Sequence, residues 1–207
     1  MFKRMSILLR RAEETRDAFA RKWERHGKLV SQLPLIQSYL QNHVVEEFTP
    51  GIGPDADGIV ELRFNCPEDM TSAFSAPGAI AVKEDEPSFL GHGTGYALGN
   101  DSPSFASPQG AKLVVAIARS DEQLIETMLG HAASSRGFRA ACRDDVKTIL
   151  GRPEMKRGPQ EVATFLHLLF ENAATASDAG RDLASSAEGT DVASVFRVRT
   201  VTVIPQA

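Results

Sequence analysis

The chain has 207 residues, of which 42% are hydrophobic and 24% charged, enough apolar material for a buried core and too much for a disordered chain. A net charge of −4 and a pI near 5.8 speak against a nucleic-acid protein, since the cations are interleaved with acids and not gathered on one face. Cys66 and Cys142 lie far apart, with no CxxC and no Cys/His zinc spacing, so a reduced cytoplasmic setting without a metal site is expected.

Phe2–Leu9 reads as a first strand, its apolar run short enough to suit a strand covered on both faces and too short for a secretion signal. No stretch is long enough to span a membrane. Thr15–Val30 reads as an amphipathic helix. Ala18, Phe19, Trp23, His26 and Val30 share one stripe, and charged residues fill most of the rest. Gly27 should weaken it near its end, and Leu33-Pro34 closes the connection. Ile36–Glu46 alternates as a strand, with Gln37, Tyr39, Gln41 and His43 on one face and Ile36, Ser38, Leu40 and Val44 on the other. Residues 49–57 form a Gly/Pro/Asp loop, and Gly58–Phe64 is a third strand. A helix starts at Pro67 behind Asn65 or Cys66 and stops before Pro77. A second helical piece covers 79–86. Gly91–Leu98 is a weaker strand, interrupted by glycines.

This order is β-α-β-β-α-β, a ferredoxin-like unit. Residues 101–110 read as a Ser/Pro-rich connector, and 111–207 repeat the order. Strands are expected at Lys112–Ile117, Thr164–Phe170 and Val195–Ile204, and the ambiguous stretch Phe138–Leu150 reads as a strand with a bent end. Helices are expected at Asp121–Ala133, capped by Ser120, and at Ala173–Ser186. Phe19, Trp23 and His26 align with Leu124, Met128 and His131 at a constant offset of 105 residues, which suggests duplication.

Residues 1 to 98 resemble the EthD domain, a branch of the dimeric α/β-barrel superfamily. The resemblance is carried by a first strand ending in basic residues, Phe19, Trp23 and His26 followed by Leu33-Pro34, and Tyr39 with Gln41-Asn42. Asp57-Gly58 with Glu61, and Asp85-Glu86 with Phe89, complete it. The second half keeps His131 but has no Trp, Leu-Pro or Asp-Gly. The resemblance implies an α+β fold in which tandem ferredoxin-like units, 1–100 and 111–207, close a barrel within one chain that can also pair as a homodimer. It implies a small organic ligand held between helices and sheet. Related members isomerise lactones, oxidise or decarboxylate aromatic polyketide-like compounds, or act on chlorite-type substrates with haem. The branch takes its name from an ether-degradation system that works with a cytochrome monooxygenase.

His26 is the candidate acid/base, set on a stripe that faces the sheet, and Tyr39 the candidate orienting phenol. The bland alternative is a hydrogen-bonded core histidine. Trp23, Gln41, His43 and Glu61 are candidate ligand contacts, although Glu61 beside Arg63 reads more readily as an exposed ion pair. His167 reads as core. His92 stands among glycines without GxGxxG or a following Lys-Ser/Thr, which excludes a phosphate loop. Three readings follow: a cofactor-independent enzyme acting on a carbonyl or phenolic compound, a ligand-binding accessory of a monooxygenase system, or a haem protein.

Overall fold

A computed structural model describes residues 1–99, 102–150, 160–187 and 192–205. Eight antiparallel strands close a barrel in the order β1-β3-β2-β8-β5-β7-β6-β4. The first half supplies β1 (Phe2–Arg10), β2 (Ser38–Glu47), β3 (Gly58–Phe64) and β4 (Leu90–Leu98). The second supplies β5 (Lys112–Ile117), β6 (Phe138–Leu150), β7 (Thr164–Phe170) and β8 (Ala193–Ile204). Each half has the ferredoxin-like neighbour order, and the halves join at two seams, β2 with β8 and β4 with β6.

Helices α1 (Arg16–Val30), α2 (Pro67–Ser75) and α3 (Ala79–Asp85) accompany the first half. Helices α4 (Glu122–Ser134) and α5 (Ala173–Ala187) accompany the second. β3 and β5 therefore have two demanding faces, one under helices and one inside the barrel, whereas much of β6 stays in contact with solvent. This explains why KLVVAI in β5 is apolar without alternation and buried throughout.

α1 begins at Thr15, whose hydroxyl accepts from the Ala18 amide. It does not weaken at Gly27. A Cβ there would lie 2.9 Å from Gln41 Nε2, so the glycine lets the helix press against β2. Asp121, not Ser120, caps α4, accepting from the Leu124 amide at 3.0 Å. Phe138–Leu150 is one continuous strand. Residue 101, at the head of the expected connector, and residue 100 before it lie outside the described residues. Its remainder runs against the barrel, with Ser102 and Ser107 both buried.

Trp23 fills the space between α1 and the sheet because β3 begins with glycine. A Cβ on Gly58 would stand 2.4 Å from Trp23 Cζ3. Gly58→Ala is expected to destabilise the fold by about 1–3 kcal/mol, because the indole is enclosed and cannot withdraw. Urea unfolding of the variant checks this; a wild-type midpoint would show that Trp23 can repack.

Candidate functional site

α1 carries the apolar stripe onto the outer face of the first half-sheet. Phe19, Trp23 and Val30 join Leu8, Tyr39, Val60, Leu62 and Phe64 in one core cluster. Between this sheet face and α3 lies a cavity of about 60 Å³. Leu8, Val30, Leu62 and Phe89 wall it, and Tyr39, Arg4 and Glu86 add polar groups. Arg4 lies over the Phe74 ring at 5.1 Å.

Tyr39 is buried and lines this cavity. Its hydroxyl accepts from Gln41 Nε2 at 2.9 Å, and the same amide group donates to the Trp23 carbonyl at 2.8 Å. Burial raises the phenol far above its ordinary range, only partly opposed by bonds from Gln41 and Trp23. Tyr39 is thus a neutral donor across the physiological range.

His26 is buried on α1, its Nδ1 2.9 Å from Asp85 Oδ2 at the end of α3. The carboxylate fixes the ring and favours the tautomer whose Nε2 carries the lone pair. His26 does not line the cavity. It stands behind Phe89, ring centroids 5.0 Å apart, and Phe89 is the shared wall. The segment after α3 is tied down from several sides. Arg11 Nη1 donates to the Pro87 carbonyl at 2.8 Å, Lys22 Nζ to the Ser88 carbonyl at 2.9 Å, and the Arg11 amide to the Phe89 carbonyl at 3.1 Å.

Trp23, Gln41 and His43 occupy the same side of the sheet as Tyr39 but do not line the cavity. His43 stacks on Trp23 at 4.5 Å, and neither of its ring nitrogens has a hydrogen-bond partner among the described residues. Burial, aided by the Arg199 charge, lowers it to about 4, so it is neutral and poorly basic.

Glu61 and Arg63 are not a surface pair. Both are about 1–2% exposed and face the barrel interior, on the opposite side of the sheet from the cavity. A closed barrel turns the second face of β3 inward, where an open sheet would leave it in water. Glu61 Oε1 accepts from Lys112 Nζ at 2.6 Å and Asn42 Nδ2 at 2.9 Å, and Oε2 from Ser104 Oγ at 2.7 Å. Lys3 Nζ reaches Glu61 at 3.2 Å and Asp144 at 2.6 Å. His167 lies between the carboxylates, 3.6 Å from Glu61 and 3.0 Å from Asp144. Burial would raise Glu61, yet the ammonium groups of Lys112 and Lys3 hold it well below the usual range. Burial keeps His167 below its ordinary value, hence neutral. His167 is core, as expected, but in a charged core.

The second half echoes the dyad without its acid: His131 Nδ1 lies 2.6 Å from Ser186 Oγ, and His131 is exposed. Its core side is filled by Leu124, Ile125, Met128 and Leu183. Sequence reasoning missed Asp85 as the partner of His26 and missed the interior cluster. Part of the signal was present: Lys112 and His167 are polar members of otherwise apolar strands, whereas Lys3 and Asp144 stand among other charged residues.

Among the described residues no helix is long and apolar enough to cross a membrane, and no three His, Cys, Asp or Glu converge to hold a metal. Neither His nor Cys lines the cavity, which at about 60 Å³ has no room for a porphyrin, so a haem does not fit there.

Residues 11–93 match the family described as the EthD domain. No protein among those with curated functions matches the sequence. The fold is that of the dimeric α/β barrels, built within one chain. An anthrone oxidase-like protein superposes with TM-score 0.59 and 11% identity, over 100% of this chain and 94% of its own. A candidate monooxygenase from Lactobacillus acidophilus NCFM gives 0.51 and 10%, over 98% and 93%. A candidate chlorite dismutase gives 0.51 and 10%, over 96% and 95%. At these identities the likeness is one of fold.

Proposed function

We propose that the first half binds a largely apolar organic compound bearing a carbonyl or phenolic oxygen and moves a proton on it without a cofactor. The observation that carries this reading is the apolar cavity under α3, with the Tyr39 hydroxyl in its wall and the His26–Asp85 pair behind Phe89. Asp85 accepts the Nδ1 proton of His26, leaving Nε2 as the base. Base and ligand meet when the Phe89 ring turns aside. The proton leaves a carbon next to the carbonyl, or a phenol, and goes to Nε2; the electron pair settles on the ligand oxygen. Tyr39 stabilises that oxygen by donating its own hydroxyl proton in a hydrogen bond. Isomerisation and oxidation proceed from such an anion, and decarboxylation would generate the same kind of anion by losing carbon dioxide, with Tyr39 stabilising it and His26 returning a proton. The family match and the monooxygenase and oxidase names of the structural neighbours favour an oxidative outcome, in which dioxygen from solution would be the electron acceptor for that anion.

The domain boundaries belong to the same proposal: 1–100 holds the working site, 101–110 connects, and 111–207 completes the barrel. A second reading, a ligand-binding accessory protein, draws on Phe89, which screens His26 from the cavity. One experiment separates them. Hydroxylated aromatic aldehydes and ketones are screened for binding by calorimetry and for turnover by absorbance. His26→Ala is expected to lower turnover about 10²–10⁴-fold while binding persists. Unchanged turnover would remove His26 from the chemistry; binding with no turnover in the wild type would establish the accessory role.

A further inference from the structure

Gly27 is buried in α1, at a helix position where alanine would have the better propensity. Its missing side chain admits another. A Cβ there would stand 2.9 Å from Gln41 Nε2 and 3.4 Å from Gln41 Cδ, so the glycine lets the Gln41 amide reach the helix backbone. Gln41 is fully buried, and its Nε2 donates twice, to the Trp23 carbonyl at 2.8 Å and to the Tyr39 hydroxyl at 2.9 Å. Its Oε1 has no hydrogen-bond partner among the described residues.

The Trp23 carbonyl sets this orientation. Turning the amide over would bring two acceptor oxygens together at the 2.8 Å now spanned by a hydrogen bond. A buried amide oxygen without a partner is costly, and the Tyr39 proton could have satisfied it. The amide instead donates to the phenol oxygen, so Tyr39 is an acceptor toward Gln41. A phenol has one proton to give as well. Among the described residues Tyr39 gives it to no acceptor, and Tyr39 lines the cavity. An apolar side chain at 41 would leave the hydroxyl free to turn either way.

We propose that Gln41 is a positioning residue. It occupies the acceptor side of the Tyr39 hydroxyl and leaves the proton for the cavity, so a ligand meets Tyr39 through a hydrogen-bond acceptor, a carbonyl oxygen or an oxygen anion. This rests on the ligand-binding reading above and deepens it. Gly27 and the Trp23 carbonyl hold Gln41, and Gln41 sets the polarity of the phenol.

The test compares cyclobutanone, which only accepts, with pyrrole, whose N–H only donates. The two have equal heavy-atom counts. Each is titrated into the full chain, following the Gly93 and Gly95 amide signals in the cavity wall by NMR. The wild type is expected to prefer the ketone about tenfold, the worth of one hydrogen bond. Gln41→Glu is expected to reverse the preference, because its carboxyl takes the Tyr39 proton whether ionised or not. Gln41→Met should erase the preference and serves if the glutamate variant does not fold. The Raman doublet of the phenol ring, which distinguishes an accepting hydroxyl from a donating one, gives a readout without ligand. Its ratio is expected to move toward a donating phenol in Gln41→Glu, with Tyr96 cancelling in the difference spectrum. A folded glutamate variant with the wild-type preference overturns the role of Gln41, as does a wild type without preference. A wild type that binds neither probe fails the ligand-binding reading. The Raman ratio decides the positioning role separately, and an unchanged ratio overturns it.

Discussion

Glu61→Leu is expected to lower the stability of the barrel by about 3–5 kcal/mol, the cost of leaving a buried charge unpaired. Glu61 is the hub of the interior. It pairs with Lys112 and Lys3 and accepts from Asn42 and Ser104. Its loss falls unevenly. Lys3 keeps Asp144 at 2.6 Å, whereas among the described residues Lys112 retains only the Asn42 side-chain oxygen and the Phe105 carbonyl. The stranded ammonium of Lys112 therefore dominates the penalty. Two further variants make the assignment specific. Glu61→Gln keeps bonding capacity toward Asn42 and Ser104 and should lose less than leucine. Glu61→Leu/Lys112→Met removes both charges and should recover more than half of the loss, since a buried pair can often be replaced by apolar groups at little cost. Urea unfolding of these four proteins and of Lys112→Met closes the cycle. An additive double variant would show that the two charges do not depend on each other. With typical domain stabilities of about 5–15 kcal/mol, the single variant should stand near the edge of folding.

The same residues show what the sequence could and could not reveal. Period-two alternation separated Val60, Leu62 and Phe64 from Ile59, Glu61 and Arg63, and that split is real. What alternation cannot state is whether the second face meets water or another sheet. Duplication was visible in the helix triplets; register exposes it far better. Met5 faces Glu61 across β1 and β3 as Val114 faces His167 across β5 and β7, and Lys3 and Lys112 precede them by two residues on their strands. Asn42 faces Ile59 as Asp144 faces Phe165. Lys3, Glu61 and Asn42 of one half are thus matched by Lys112, His167 and Asp144 of the other. Sequence spacing hides this because each strand pair carries a different offset. His26 was legible from its place on a helical stripe. Its partner was not, since Asp85 is exposed enough to pass for a solvated carboxylate and meets His26 only through the packing of α3 on α1. Alternation grouped Tyr39 with Gln41 and His43 on one strand face, but a strand pattern carries no information about which element covers that face or which of its residues borders a void.

Acid should unfold this protein early, beginning near pH 6.5 and not in the carboxylate range alone. His167 and His43 are both held below their ordinary value, chiefly by burial, His43 at about 4. Above pH 6.5 they are neutral in both states and contribute no pH dependence. Below it the unfolded chain takes up protons that the folded chain refuses, so stability falls as pH falls, by about 1.4 kcal/mol per pH unit for each histidine. For His43 this continues to about pH 4 and reaches on the order of 3 kcal/mol. Glu61 and Asp144 act with the same sign further down. Their folded-state values are depressed, so their contribution is present above the unfolded carboxylate values of about 4 and is lost as pH drops through the folded ones. Lys3 is raised and has the opposite sign: its contribution is intact through this window and is lost only in strong alkali. His43→Phe separates the terms, because the ring can still stack on Trp23 and leaves no unpaired nitrogen. Urea midpoints at pH 8, 6, 5 and 4 are expected to fall steadily for the wild type and less steeply for His43→Phe. His167→Gln should flatten the same limb while lowering stability at pH 8, since the amide replaces a ring packed between two carboxylates. A wild-type midpoint constant from pH 8 to pH 5 would mean that neither histidine is held neutral by the fold.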